Sequence, residues 1–209
     1  MTGPTSETEL RTLYRDPSAG AANKAIDHVD QHVADFLARC PFLVFATGSS
    51  DGLDASPRGG TPGFVTVLDT HRIAFGDLSG NNRLDSFTNV VREPEVALLA
   101  MIPGLDETVR INGTAGLSTD ADVLEACAID GRTPKVAVVI TVRESYLHCA
   151  KALRRAQLWE TESWPEPAAC PSPGAMLNDH IGLGVDPAVI DADLEKAYEA
   201  TMWTTGGDE

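Results

Sequence analysis

Residues 42–60 read FLVFATGSSDGLDASPRGG, and the fold turns on how they pair. Phe42 to Thr47 is an apolar run of strand length, Gly48 to Gly52 supplies turn residues, and Leu53 to Ser56 returns. The spacing predicts a β-hairpin with a Ser-Asp-Gly connection. Beyond it, Gly63 to Leu68 and Arg72 to Phe75 read as a second strand pair joined across Asp69-Thr70-His71. Leu84, Phe87, Val90 and Val91 recur at helical spacing between Asn82 and Arg92, and Pro94 ends that helix before the apolar run Val96 to Ile102. Thr108 to Asn112 and Ala115 to Ser118 flank Gly113 as a hairpin or a bulged strand. A short helix opens at Asp120 and reaches about Cys127, and Val136 to Val142 is the most β-branched segment.

Upstream, Ile26, Val29, Val33, Phe36 and Leu37 predict one amphipathic helix over Ala21–Arg39, stopped by Pro41. On that helix His28 and His32 fall off the apolar face and read as solvated. Downstream, four prolines between Trp164 and Gly174 predict an extended segment. Asp186-Pro187 then starts a helix with Val189, Ile190, Leu194, Ala197 and Tyr198 on one stripe. Six or seven short strands with small helices, and no βαβ alternation, predict a mainly β fold with α elements: a closed or nearly closed antiparallel barrel. The expected organisation is an N-terminal extension at 1–20, a barrel domain at 21–160 and an acidic C-terminal extension at 161–209 that packs on the barrel or on a partner subunit.

The chain of 209 residues carries 16 Lys and Arg against 31 Asp and Glu, a formal net charge of -15. Such a surface argues against nucleic acid and anionic membranes as partners, and no apolar run is long enough to span a bilayer. The polar Met1 to Leu10 is expected to hold no secretory signal. The four cysteines, at 40, 127, 149 and 170, lack CxxC spacing and are expected to be buried or free thiols in the cytoplasm. Charge is unevenly placed: Glu160 to Glu209 holds 11 acids and one base, whereas Cys40 to Trp159 holds 14 acids and 11 bases. The arginines are concentrated in the expected barrel.

Two constellations could carry chemistry. Ser56-Pro57-Arg58-Gly59-Gly60 ends a strand with a guanidinium, a hydroxyl and flexible glycines, donors that suit an oxyanion such as phosphate. Gly76-Asp77-Leu78-Ser79-Gly80-Asn81-Asn82-Arg83 runs into a helix start, where free amides and an adjacent arginine also favour an anion. Each has a plainer counterpart, a Pro-Gly turn with a solvated arginine and an Asn N-cap.

The ordered set of Ser-Pro-Arg-Gly, strand pair, Gly-Asn-Asn-Arg-Leu-Asp-Ser, helix, Glu93-Pro94, apolar strand and Thr-Val-Arg-Ile-Asn-Gly-Thr-Ala resembles the pyridoxamine 5'-phosphate oxidase-like flavoproteins over roughly residues 36–160. Leu147 to Trp159 and Met176 to Gly182 are similar to a branch of probable FMN-dependent enzymes within them. The resemblance implies an FMN-binding split β-barrel, an FMN-dependent oxidoreductase acting on a small molecule, and a homodimer with flavin at the subunit interface. It implies a phosphate held by Ser56, Arg58, Asn82 and Arg83, with Pro57, Gly59, Arg110 and Lys151 completing the candidate cofactor-binding set. Strand residues 63–68 and 108–112 become flavin walls. The usual Arg-Lys pair of the oxidase is Asn82-Arg83 here and its pyridoxal phosphate pattern is not found, which points away from pyridoxamine phosphate as substrate. The alternatives are a flavin- or haem-binding protein without turnover and a reductase using the deazaflavin F420. The sequence assigns no catalytic residue, and no metal ligand is expected.

Overall fold

The computed structural model describes residues 3–206. Its strands are Phe42–Ser49 (β1), Gly52–Gly59 (β2), Val65–Asp69 (β3), Arg72–Gly76 (β4), Glu95–Met101 (β5), Thr108–Ser118 (β6) and Ala137–His148 (β7). They form one antiparallel sheet in the order β2-β1-β5-β6-β7-β4-β3. The two end strands, β2 and β3, do not pair with each other, so the architecture is an antiparallel split β-barrel.

Period-two alternation decides which side of the sheet becomes core. Leu43 and Phe45 of β1, Ile73 and Phe75 of β4, Leu98 of β5, Ile111 of β6 and Val138 and Ile140 of β7 are buried together. Phe45 and Phe75 meet edge to face with ring centroids 5.4 Å apart, a favoured aromatic geometry. The helix Asp85–Arg92 (here called α4) adds Phe87 and Val90 to this core, as its helical spacing predicts.

Three shorter helices precede β1: Glu7–Leu13 (α1), Ala19–Asn23 (α2) and Gln31–Leu37 (α3). The expected single helix over 21–39 is thus broken. Ile26 leaves the helical path to bridge Ser145 on β7, with mutual backbone hydrogen bonds of 3.0 and 2.7 Å. Tertiary pairing here outweighs the helical periodicity, and His28 consequently stands outside any helix. Asp30 then restarts the helix as N-cap, its Oδ1 accepting from Val33 N at 2.8 Å. Asp30→Ala is expected to cost about 1 kcal/mol and to lower the melting temperature by about 2–4 °C in a thermal scan.

Thr108–Ser118 is one strand with a register shift at Asn112/Gly113, the bulged alternative of the two expected. β7 runs six residues beyond the predicted Val142, to His148. Helices Ala121–Ala126 (α5) and Lys151–Ala156 (α6) flank it. In the C-terminal extension, Pro173–Ile181 (α7) packs against Pro187–Thr201 (α8), where Gly174 N donates to Asp191 Oδ1 at 2.7 Å. The chain then returns to the barrel: Thr205 bridges Leu78, and Ser79 N donates to Thr204 O at 2.9 Å. No helix of the described residues is long and apolar enough to cross a membrane. Cys40 and Cys127 are buried, Cys149 and Cys170 are exposed, and all four are free thiols.

Candidate functional site

The inward face of the sheet changes character at its edge. On β1 it is Leu43, Phe45 and Thr47; in register on β2 it is Arg58, Ser56 and Asp54. These three are half-buried while Ala55, Pro57 and Gly59 between them are exposed. An edge strand tolerates Pro57, which has no amide to donate. The sequence therefore turns a polar row toward a cleft of about 460 Å³, whose other walls include Phe64, Phe75, the loop 76–82 and the first turn of α4.

α4 builds the floor. Ser86 is buried and donates to Asp54 Oδ2 at 2.6 Å, and Asn89 donates to Thr47 Oγ1 at 3.1 Å. Phe87 lies under Arg58, whose guanidinium carbon is 5.5 Å from the ring centroid, a cation-π arrangement. The entry to α4 is unusual. Asn82 and Leu84 both have left-handed backbone, at φ 53° and 58°, and no side chain caps the helix. Leucine pays for that conformation without the local hydrogen bonding that makes asparagine tolerant of it. The uncapped first turn lines the cleft and points the positive end of the helix at it.

Arg58 is the central cation. Its side chain is 24% exposed, Nη1 lies 3.5 Å from Asp77 Oδ1, and Nε is buried with no partner. Burial pulls its pKa below the usual arginine range, against the opposing pull of Asp77 and Asp54. Arg83 stands at the outer rim, 72% exposed, with Nε 2.8 Å from Asp85 Oδ2. That hydrogen bond to Asp85 raises the Arg83 pKa.

Of the expected residues, Ser56, Pro57, Arg58, Gly59 and Asn82 line the cleft together, and Arg83 stands beside it. Arg110 on β6 and Lys151 on α6 do not line it within one chain. The plainer reading of this segment, an Asn N-cap, is not what forms: Asn81 Oδ1 accepts from Arg83 N at 3.1 Å and Leu84 occupies the cap position. Asp54, Asp77, Ser86 and Phe87 also line the cleft, and of these only Asp77 falls within the two constellations marked in the sequence. Alternation along β2 would have found Asp54, two residues before Ser56 on the same face. Gly206 also lines the cleft, and a Cβ there would sit 2.1 Å from Asp77 Oδ2. No local pattern announces that long-range contact.

A family model described as pyridoxamine 5'-phosphate oxidase matches residues 29–149. Solved structures similar to the chain include HupZ of Group A Streptococcus, 15% identical over 57% of this chain and 93% of that one, with a TM-score of 0.45. A candidate pyridoxamine 5'-phosphate oxidase of Lactobacillus delbrueckii is 21% identical over 59% of this chain and 98% of that one, TM-score 0.45. A NimC/NimA family protein of Clostridium acetobutylicum is 19% identical over 58% of this chain and 88% of that one, TM-score 0.43. No curated protein sequence matches the chain.

Proposed function

The chain belongs to the pyridoxamine 5'-phosphate oxidase family, and from that membership we propose that it is an FMN-dependent oxidoreductase whose flavin phosphate sits in the cleft between β2 and α4. Arg58 carries the reading: a largely buried cation with an orphaned Nε, on an edge strand, facing an uncapped helix start. An unpartnered buried donor is costly. A phosphate oxygen would supply the missing acceptor through a charge-assisted bond.

The other residues fit the same group. Ser56 offers a hydroxyl from the inward face of β2, Pro57 and Gly59 shape the strand around it, and Asn82 offers an amide from the loop. Arg83 adds field strength from the rim. The cleft carboxylates are each engaged, Asp54 by Ser86, Asp77 by Arg58 and Asp85 by Arg83, which limits their repulsion of an anion. Phe64 and Phe75 give an apolar wall that excludes water. Arg110 and Lys151 do not line this cleft within one chain. When bound, FMN supplies the redox chemistry, taking electrons from one substrate and passing them to another or to oxygen. The protein's residues bind and orient it.

The same reading makes the protein a cytoplasmic homodimer acting on a small molecule, with flavin at the subunit interface. Light scattering is expected to give about twice the chain mass of 22.2 kDa. The test of the cofactor is direct: purified protein is expected to show flavin absorbance and to release FMN identified by mass spectrometry. A Soret band, a released deazaflavin, or a colourless protein that ignores added FMN overturns the assignment.

A further inference from the structure

Lys24 and Arg110 come from separate stretches of chain and meet the ring of Tyr146, and His148 stands two residues along the same strand. Lys24 Nζ is 5.0 Å from the ring centroid and Arg110 Cζ is 5.4 Å from it. The two charges therefore lie within about 10 Å of each other, the Debye length near 0.1 M salt. Strand register builds the cluster: Arg110 pairs with Tyr146 and Thr108 with His148, which puts Arg110, Tyr146 and His148 on one face of the β6/β7 ladder. The Ile26–Ser145 bridge that breaks the N-terminal helix brings in Lys24, whose Nζ donates to Leu147 O at 2.9 Å.

Among the described residues, neither Lys24 nor Arg110 has a carboxylate within ion-pair distance, and His148 Nδ1 is shielded from solvent without a hydrogen-bond partner. Burial, then Lys24, then Arg110 hold the His148 pKa below its usual value, and no carboxylate acts in the opposite direction. In a chain with almost twice as many acids as bases, two cations without an ion-pair partner among the described residues are a conspicuous local excess of positive charge.

We propose that this cluster is a binding site for a tetrahedral dianion, the phosphate or sulfate group of a small ligand. Lys24 and Arg110 supply charge-assisted donors, protonated His148 supplies a third, and the Tyr146 ring forms a wall of the site. The site is separate from the β2–α4 cleft and does not depend on the flavin reading, since none of its residues lines that cleft.

Sulfate is the probe, because it stays a dianion across the range in which histidine titrates. The ring proton of His148 is followed by NMR from pH 5 to 8, in 50 mM sodium sulfate and in sodium chloride of equal ionic strength. Sulfate neutralises the two cations, so the His148 pKa is expected to rise by about 0.5 relative to chloride. By linkage, sulfate then binds about threefold tighter to the protonated than to the neutral form. Lys24→Ala and Arg110→Gln, each checked for unchanged circular dichroism, are expected to abolish the difference, and the other histidines report general screening. Equal pKa values in the two salts, a shift common to all histidines, or a shift that survives both substitutions overturns the proposal.

Discussion

Gly113→Ala is expected to lower the unfolding free energy by about 3 kcal/mol or more, the upper end for forcing an extra methyl group into a packed site. Gly113 sits at the bulge where β6 shifts register against β7, and it is buried. A Cβ at this position would lie 2.0 Å from the carbonyl oxygen of Thr141 and 3.0 Å from its carbonyl carbon. Those atoms are backbone within the longest ladder of the sheet, so relief requires the two central strands to separate. The same substitution three residues along supplies the control. Gly116 is exposed, and a Cβ there meets nothing within 4 Å, so Gly116→Ala is expected to change stability by less than about 0.5 kcal/mol. Urea denaturation of both variants decides the matter, and equal midpoints would sink the steric account.

Gly113 also marks where sequence reasoning reaches its limit. Its glycine between two strand-like runs was compatible with a turn or with a bulge, because both use a residue without a side chain. Only the partner strand distinguishes them, and β7 continues past Val142 to accept the whole length of β6. The hairpin of β1 and β2 was legible because its signals are local: alternation, a glycine-bounded turn and a return. The break in the N-terminal helix was not, since the hydrogen bonds that pull Ile26 out of register come from Ser145, more than a hundred residues away.

The candidate site divides in the same way. The Ser56-Pro57-Arg58-Gly59 segment and Asn82 were marked by their own chemistry, and the edge position of β2 delivers them to one cleft. Asp77 lies inside the glycine-bracketed loop but becomes significant only because the fold sets it 3.5 Å from Arg58. The resemblance places Arg110 in the cofactor set, and within one chain the register sets it beside Tyr146, outside the cleft.

Arg58→Ala is expected to weaken FMN binding roughly 100-fold, or about 3 kcal/mol, in a fluorescence-quenching titration. Two losses combine in that figure. The variant removes the charged fork that would meet the phosphate, and it removes the cation 3.5 Å from Asp77, a carboxylate only 18% exposed that faces the anion. Arg58→Lys is expected to fall between, weaker than wild type by about tenfold, because an ammonium keeps the charge but loses the planar donor geometry and the stacking on Phe87. Arg83→Ala is expected to cost only a few-fold, since that side chain is 72% exposed and water screens its field. The order of the three variants therefore locates the phosphate. If Arg83→Ala is as damaging as Arg58→Ala, the anion sits at the rim beside Asp85 and the buried Nε of Arg58 is not its partner. If all three bind FMN as wild type does while retaining their fold, the β2–α4 cleft is not the flavin site.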